Sequence, residues 1–296
     1  MGDNSKISWT DASWNPVTGC SRVSPGCENC YAEALSLRFG WTKLPWSKAN
    51  ASANVVCHED RLSLPIRWRR PRRVFVNSMS DLFADEVPDF FVLRVFGAMA
   101  AAPQHSFQVL TKRPARMARM LSSWSRLEVS DVARSLLSFV PHAESVYEAA
   151  RNVSWPLPNV WLGTSVEDQR RADERIPHLL QTPAAVRFLS CEPLLGPIDI
   201  GLLGTMPESI SKRYALVCER IQWVIVGGES GRGYRPMDER WAISIRDECR
   251  NAGVAFFFKQ SAGPKPETMP HLPGADGARY RWHQYPGEIS APEKVV

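Results

Sequence analysis

The sequence has no apolar run approaching the roughly 18 uninterrupted residues of a membrane span, and residues 1–10 are polar, with no signal-peptide core. The expected address is therefore cytoplasmic, with no membrane partner. Cysteine is scarce and odd in number, seven in 296 residues with three crowded into eleven positions, which excludes a secreted disulfide framework. Neither charge sign dominates: 36 Lys and Arg against 31 Asp and Glu leave a net charge of +5, which permits an anionic partner without requiring one. With 44% hydrophobic and 23% charged residues, the chain is not collagen-like, coiled-coil or largely disordered. Its length supports a core that needs no staple, and a single domain over 1–296 is expected.

What is present is a recurring unit: a short apolar, β-rich segment ends in polar or Gly residues, and an amphipathic segment follows. The strands are expected at 6–9, 74–77, 107–110, 160–163, 186–189, 223–226 and 255–258, most of them too apolar for a half-exposed antiparallel sheet. Helices are expected at 89–101, 114–121, 168–180 and 238–251, with Gly253 just past the last. Such alternation predicts an α/β fold with a parallel sheet, and the number of units favours a partial or complete (β/α) barrel over an open doubly wound sheet. Residues 122–158, with an extra helix near 132–140, and 201–220 read as surface insertions. The Pro- and Gly-rich tail from about 264 reads as an extended C-terminal wrap.

In a parallel β/α barrel the reactive groups gather at the carboxyl ends of the strands. The residues just past each apolar run are Ser78-Met79-Ser80-Asp81, Thr111-Lys112-Arg113, Thr164-Ser165-Val166-Glu167, Cys191-Glu192-Pro193, Gly227-Gly228-Glu229-Ser230 and Lys259-Gln260. Helix caps account for Asp81 or Ser165; they account less well for Lys112, Glu192, Glu229 and Lys259. Lys112, Glu192 and Cys191 are the candidate catalytic residues. In Gly227-Gly228-Glu229-Ser230-Gly231, either backbone N–H groups approach an anionic ligand or the glycines serve a tight turn.

Cys20, Cys27 and Cys30 form a C-x6-C-x2-C loop before a helical segment at 32–39. Three thiolates with no fourth nearby suit an iron–sulfur cluster that leaves one iron open. Zinc with Cys57 or His58 as a fourth ligand, three cysteines packed as small hydrophobes, and a redox Cys-x-x-Cys pair are the alternatives.

A three-cysteine loop after the first strand of a β/α-barrel pattern resembles the radical S-adenosylmethionine (radical SAM) superfamily. The whole chain also resembles an uncharacterised three-cysteine family common in phages and prophages. The motifs carrying the second likeness are Trp14-Asn15-Pro16-Val17-Thr18-Gly19-Cys20, Ser78-Met79-Ser80-Asp81-Leu82-Phe83, Leu110-Thr111-Lys112-Arg113-Pro114, Glu192-Pro193-Leu194-Leu195-Gly196, Gly227-Gly228-Glu229-Ser230-Gly231 and Phe257-Phe258-Lys259-Gln260. Most radical SAM enzymes space their ligands C-x3-C-x2-C, so this loop is three residues longer on its first side. Thr111-Lys112 at a strand end is similar to spore photoproduct lyase.

The resemblance implies a [4Fe–4S] cluster on Cys20, Cys27 and Cys30, with SAM bound at the open iron and cleaved to a 5′-deoxyadenosyl radical. It also implies an electron donor such as flavodoxin or ferredoxin. Tyr31 occupies the place beside the last ligand where the superfamily packs a ring near adenine. Ser80, Asp81, Lys112, Glu192, Gly228 and Glu229 are candidates to hold SAM.

For the substrate, Arg61, Arg67, Arg69, Arg70, Arg72 and Arg73 crowd around Trp68, either as a nucleic-acid contact or as a solvated basic face. They precede a strand and so belong to the end opposite the mouth unless the loop folds over. Lys112, Arg113, Arg116 and Arg119 are better placed, and a nucleic acid or nucleotide is the expected partner, either as the substrate of radical chemistry or as the ligand of a zinc- or cluster-binding accessory protein without it.

Overall fold

A computed structural model describes residues 5–137, 153–201 and 220–295. The strands are β1 (Ala12–Trp14), β2 (Val17–Thr18), β3 (Val56–Cys57), β4 (Arg73–Val76), β5 (Ser106–Thr111), β6 (Val160–Ser165), β7 (Val186–Cys191), β8 (Trp223–Gly227), β9 (Ala255–Gln260), β10 (Leu272–Pro273), β11 (Arg279–Arg281) and β12 (Glu293–Val295). The α-helices are α1 (Tyr31–Arg38), α2 (Ala51–Asn54), α3 (Leu64–Arg67), α4 (Asp89–Ala100), α5 (Pro114–Ser123), α6 (Arg126–Leu137), α7 (Gln169–Gln181) and α8 (Glu239–Ala252). The chain is an α/β fold whose seven-stranded parallel sheet has the order β1-β4-β5-β6-β7-β8-β9. The strands of this sheet follow one another in chain order, without the reversal that marks a doubly wound sheet.

The chain groups into two compact units. The first comprises Met1–Val23, Cys30–Leu162 and Gln181–Ala185; the second comprises Ser24–Asn29, Gly163–Leu180 and Val186–Val296. In the first unit, Ala12, Ser13 and Trp14 pair in parallel with Val74, Phe75 and Val76, and β4 pairs with β5 from Arg73↔Ser106 to Val76↔Val109. Trp14, Val74, Val76, Phe107 and Val109 have no exposed surface, as strands covered on both faces require. In the second unit, every residue of β8 is buried, and Trp223 packs against Phe188 and Phe257.

Six of the seven expected strands fall where the apolar runs lie. The exception is 6–9, which forms a turn in which Thr10 N–H donates to Ile7 O, 3.1 Å. The first strand begins later because the Asp11 carboxylate accepts from Arg73 N–H, 2.7 Å, and aligns 12–14 beside β4.

The segment expected as a surface insertion carries α6, which buries Val129, Ala133, Leu136 and Leu137. A Cβ on Gly97 of α4 would lie 2.6 Å from Val132, so the two helices approach closely there. The helix begins earlier than expected because Ser125-Arg126-Leu127-Glu128 forms a capping box: Ser125 N–H donates to Glu128 and Glu128 N–H donates to the Ser125 hydroxyl. Residues 138–152 and 202–219, and with them Cys218 and most of the second expected insertion, lie outside the described residues.

The tail has more structure than a bare wrap. Strands β10, β11 and β12 form an antiparallel sheet, Phe257 bridges His283, and Trp223 Nε1–H donates to Gln284 O, 2.9 Å. No described helix is long and apolar enough to cross a membrane.

Candidate functional site

In the first unit, the segment carrying Cys20 is tied to the carboxyl ends of β4 and β5. Gly19 N–H donates to Met79 O, 3.0 Å, and the Ser80 hydroxyl donates to Val17 O, 2.9 Å. Gly19 has φ +81°, and a Cβ there would lie 1.9 Å from Asn54 O, so only glycine fits.

The buried Asp81 is the hub of this region. One carboxylate oxygen accepts from Phe83 N–H, 3.0 Å, and the Thr111 hydroxyl, 2.7 Å; the other accepts from Lys112 N–H, 2.9 Å, and Arg113 Nη1, 3.0 Å. Arg113 then reaches the cysteine loop, donating to Cys20 Sγ at 3.7 Å, Ser21 O at 3.1 Å and Ser21 Oγ at 2.9 Å. Burial pulls the Arg113 pKa down, but the charges of Asp81 and Cys20 outweigh it and hold the guanidinium above its ordinary range.

Cys30 stands at the N-cap of α1, and the neighbouring Tyr31, 51% exposed, donates its hydroxyl to Ser78 O, 2.8 Å. The zinc alternative also lies partly in this unit. His58 bonds Thr18 Oγ1 through Nε2 at 2.8 Å, while Cys57 sits in β3 with its thiol pushed up by burial and by Glu59.

In the second unit, the turn carrying Cys27 is tied to residues that follow β6 and β8. Gly26 N–H donates to Glu167 Oε1, 3.3 Å, and the other Glu167 oxygen accepts from Arg175, 2.8 Å, in a buried pair. Glu229 accepts from Asn29 Nδ2 at 2.8 Å and from Arg235 Nη2 at 2.6 Å. Arg235 continues to Pro25 O and Glu28, each at 2.9 Å. Burial raises the Glu229 pKa, but the hydrogen bonds from Arg235 and Asn29 outweigh it and hold the carboxyl below its ordinary value. Glu192 pairs with Lys259 Nζ at 2.9 Å.

The expected site residues therefore divide by what they hold. Asp81, Ser80 and Glu229 spend their side chains on the cysteine-bearing segments or their neighbours. Gly228 does not offer its N–H to a ligand: it donates to Gln260 O, and a Cβ would lie 2.2 Å from Ala262 N, so the glycine serves strand contact. Cys191, expected to serve chemistry, is wholly buried at the end of β7, its thiol pushed far up by burial and by Glu192. The side chain of Lys112 has no described partner, whereas Arg113 and Arg116 turn inward, Arg116 to Ala84 O, Val87 O and Asp89.

Arg61 donates to Asn15 O and Arg73 pairs with Asp11, so these two brace the fold. Arg67, Arg69 and Arg70 are exposed, and Arg72 lies over the Trp68 ring at 5.1 Å. Sequence reasoning missed Arg235 and Glu167 as anchors of the cysteine loop. Glu167 stood in the strand-end reading, but no local pattern around Arg235 points 210 residues back to Pro25.

A family model described as a protein of unknown function, DUF5131, matches residues 4–286. The chain belongs to the DUF5131 family. No curated protein and no solved structure matches it. In this DUF5131 chain the six described cysteines form no disulfide, and Cys20, Cys27 and Cys30 are all half-buried. Among the described residues, no three His, Cys, Asp or Glu side chains gather as ligands of a single metal ion.

Proposed function

We propose that this chain is a radical SAM enzyme built on a partial or complete (β/α) barrel, with a nucleic-acid base or nucleotide as substrate, of the class met in DNA modification or repair. The carrying observation is that two of the cysteine-bearing segments are anchored to residues past strand carboxyl ends, each within its own unit: Cys20 through Arg113 and Asp81, and the Cys27 turn through Glu167, Glu229 and Arg235. The unreversed strand order supports the barrel.

The donor set fits a cluster in its chemistry: three thiols outside disulfides, neither exposed nor fully buried, within eleven residues of chain. A [4Fe–4S] cluster takes each thiolate at a different iron, so its ligands stand wider apart than those of one ion. When bound, a reduced cluster and SAM supply a 5′-deoxyadenosyl radical that abstracts hydrogen.

The chain's own residues hold and shield that chemistry. Cys20, Cys27 and Cys30 are the ligands. A guanidinium placed as Arg113 is, beside sulfur, favours the charged, metal-binding form of a thiol. Glu229 and Arg235 hold the residues on either side of Cys27, through the Pro25 carbonyl on one side and the Glu28 and Asn29 side chains on the other. Lys112 and Glu192 remain candidates for a bound molecule's charged ends, and exposed Tyr31 for stacking on adenine. Flavodoxin or ferredoxin would supply the electron.

Anaerobic reconstitution with iron and sulfide, followed by electron paramagnetic resonance of the reduced protein with and without SAM, tests this reading. A [4Fe–4S] signal that SAM perturbs is expected, lost together with SAM cleavage in Cys27→Ala and Cys30→Ala. Zinc without iron or sulfide, or SAM cleavage retained by either variant, overturns it.

A further inference from the structure

Helix α1 begins beside Cys30 and ends in a Schellman turn. Gly40 takes φ +69°, its N–H donates to Leu37 O at 3.2 Å, and Trp41 N–H donates to Ser36 O at 2.9 Å. The hydrophobic contact that usually accompanies this motif pairs Trp41's position with residue 36, which here is a serine. Trp41 stays 59% exposed and Phe39 57% exposed, the two rings stacked at 5.2 Å with 27° between their planes.

The Arg38 guanidinium lies 5.6 Å from the Phe39 ring, and Lys43 is exposed just beyond. Neither cation has an ion-pair partner among the described residues.

We propose that Arg38, Phe39, Trp41 and Lys43 form a docking surface for single-stranded nucleic acid, an inference that rests on the nucleic-acid reading above and names where the strand is held. Ring faces accept bases of any sequence by stacking, and uncompensated cations beside them track phosphates. Charge complementarity selects this occupant over a second copy of the chain, because a twofold self-contact would bring the same unpaired cations together. The eight residues of α1 span about 12 Å, so a strand held here lies one short helix from Cys30.

Fluorescence anisotropy of a labelled thymidine oligomer, on the full chain before and after cluster reconstitution, tests the surface. Phe39→Ala/Trp41→Ala is expected to weaken binding about 10- to 100-fold. Arg38→Gln/Lys43→Gln is expected to lower the slope of log affinity against log salt by about 1.4. Both pairs are exposed, and circular dichroism and iron content are expected to match the parent.

Binding unchanged within about twofold in the aromatic variant, equal competition by duplex, or an effect of that variant on self-association or on capture of an acidic flavodoxin instead of on the oligomer, overturns the proposal. The two readings fail separately. Strand binding that depends on these residues in a protein that assembles no cluster removes the radical reading alone. A SAM-responsive cluster in a protein whose oligomer binding ignores them removes the docking surface alone.

Discussion

Arg113 shows how one side chain couples a strand end to the cysteine loop. Its head group and the Asp81 carboxylate are both close to fully buried, and Asp81 accepts four hydrogen bonds. Removing one partner of such a pair leaves a charge buried alone. Arg113→Ala is expected to lower unfolding stability by about 3–5 kcal/mol in urea titration, and the double variant with Asp81→Ala to lose less than the sum of the single losses. A loss below about 1 kcal/mol for Arg113→Ala would mean that solvent screens the pair.

His283 makes a different claim. It stacks on Phe257 at 4.2 Å with its Nε2 buried and unpartnered, and burial, with Arg281, pushes its pKa down to about 4. In the unfolded chain the same ring titrates near 6.5. Below that pH the unfolded state takes up a proton that the native state refuses. Its stabilising contribution is therefore complete above pH 6.5 and is lost as pH falls towards 4, by on the order of 2 kcal/mol after allowance for partial exposure. Urea midpoints at pH 7 and pH 4.5 should diverge more for the parent than for His283→Phe. Equal losses in the two proteins would assign the titration to another group.

At the scale of the element, two glycines with similar backbone angles serve different ends. Gly19, φ +81°, has Asn54 O where a Cβ would go, whereas Gly40, φ +69°, has nothing within 4 Å. Gly19→Ala should cost about 3 kcal/mol or more through overlap and strain together and displace the Cys20 segment from Met79. Gly40→Ala carries only the left-handed backbone penalty, about 1–2 kcal/mol. Thermal unfolding of the two variants compares them directly, and similar losses would mean that the Asn54 carbonyl yields.

At the scale of the whole chain, the rhythm of the sheet was legible because parallel strands covered on both faces read as unbroken apolar runs, such as Trp223-Val-Ile-Val and Ala255-Phe-Phe-Phe. The three cysteines and the polar residues just past the strands were legible for a related reason. Chain connectivity keeps a C-x6-C-x2-C loop together, and side chains past a parallel strand emerge at the same end of the sheet.

Tertiary structure decided which of those polar groups are spent. Asp81 and Glu229 look like ligand-binding carboxylates in the sequence, yet their partners are supplied by Arg113, 32 residues on, and by Asn29, 200 residues back. Long-range contacts also separated buried Cys191 from half-buried Cys20, Cys27 and Cys30, though all are thiols beside polar neighbours. Local pattern fixes where a strand ends and which residue types gather there. Whether a carboxylate is met by a guanidinium or a backbone N–H depends on packing between segments far apart in the chain, which periodicity does not encode.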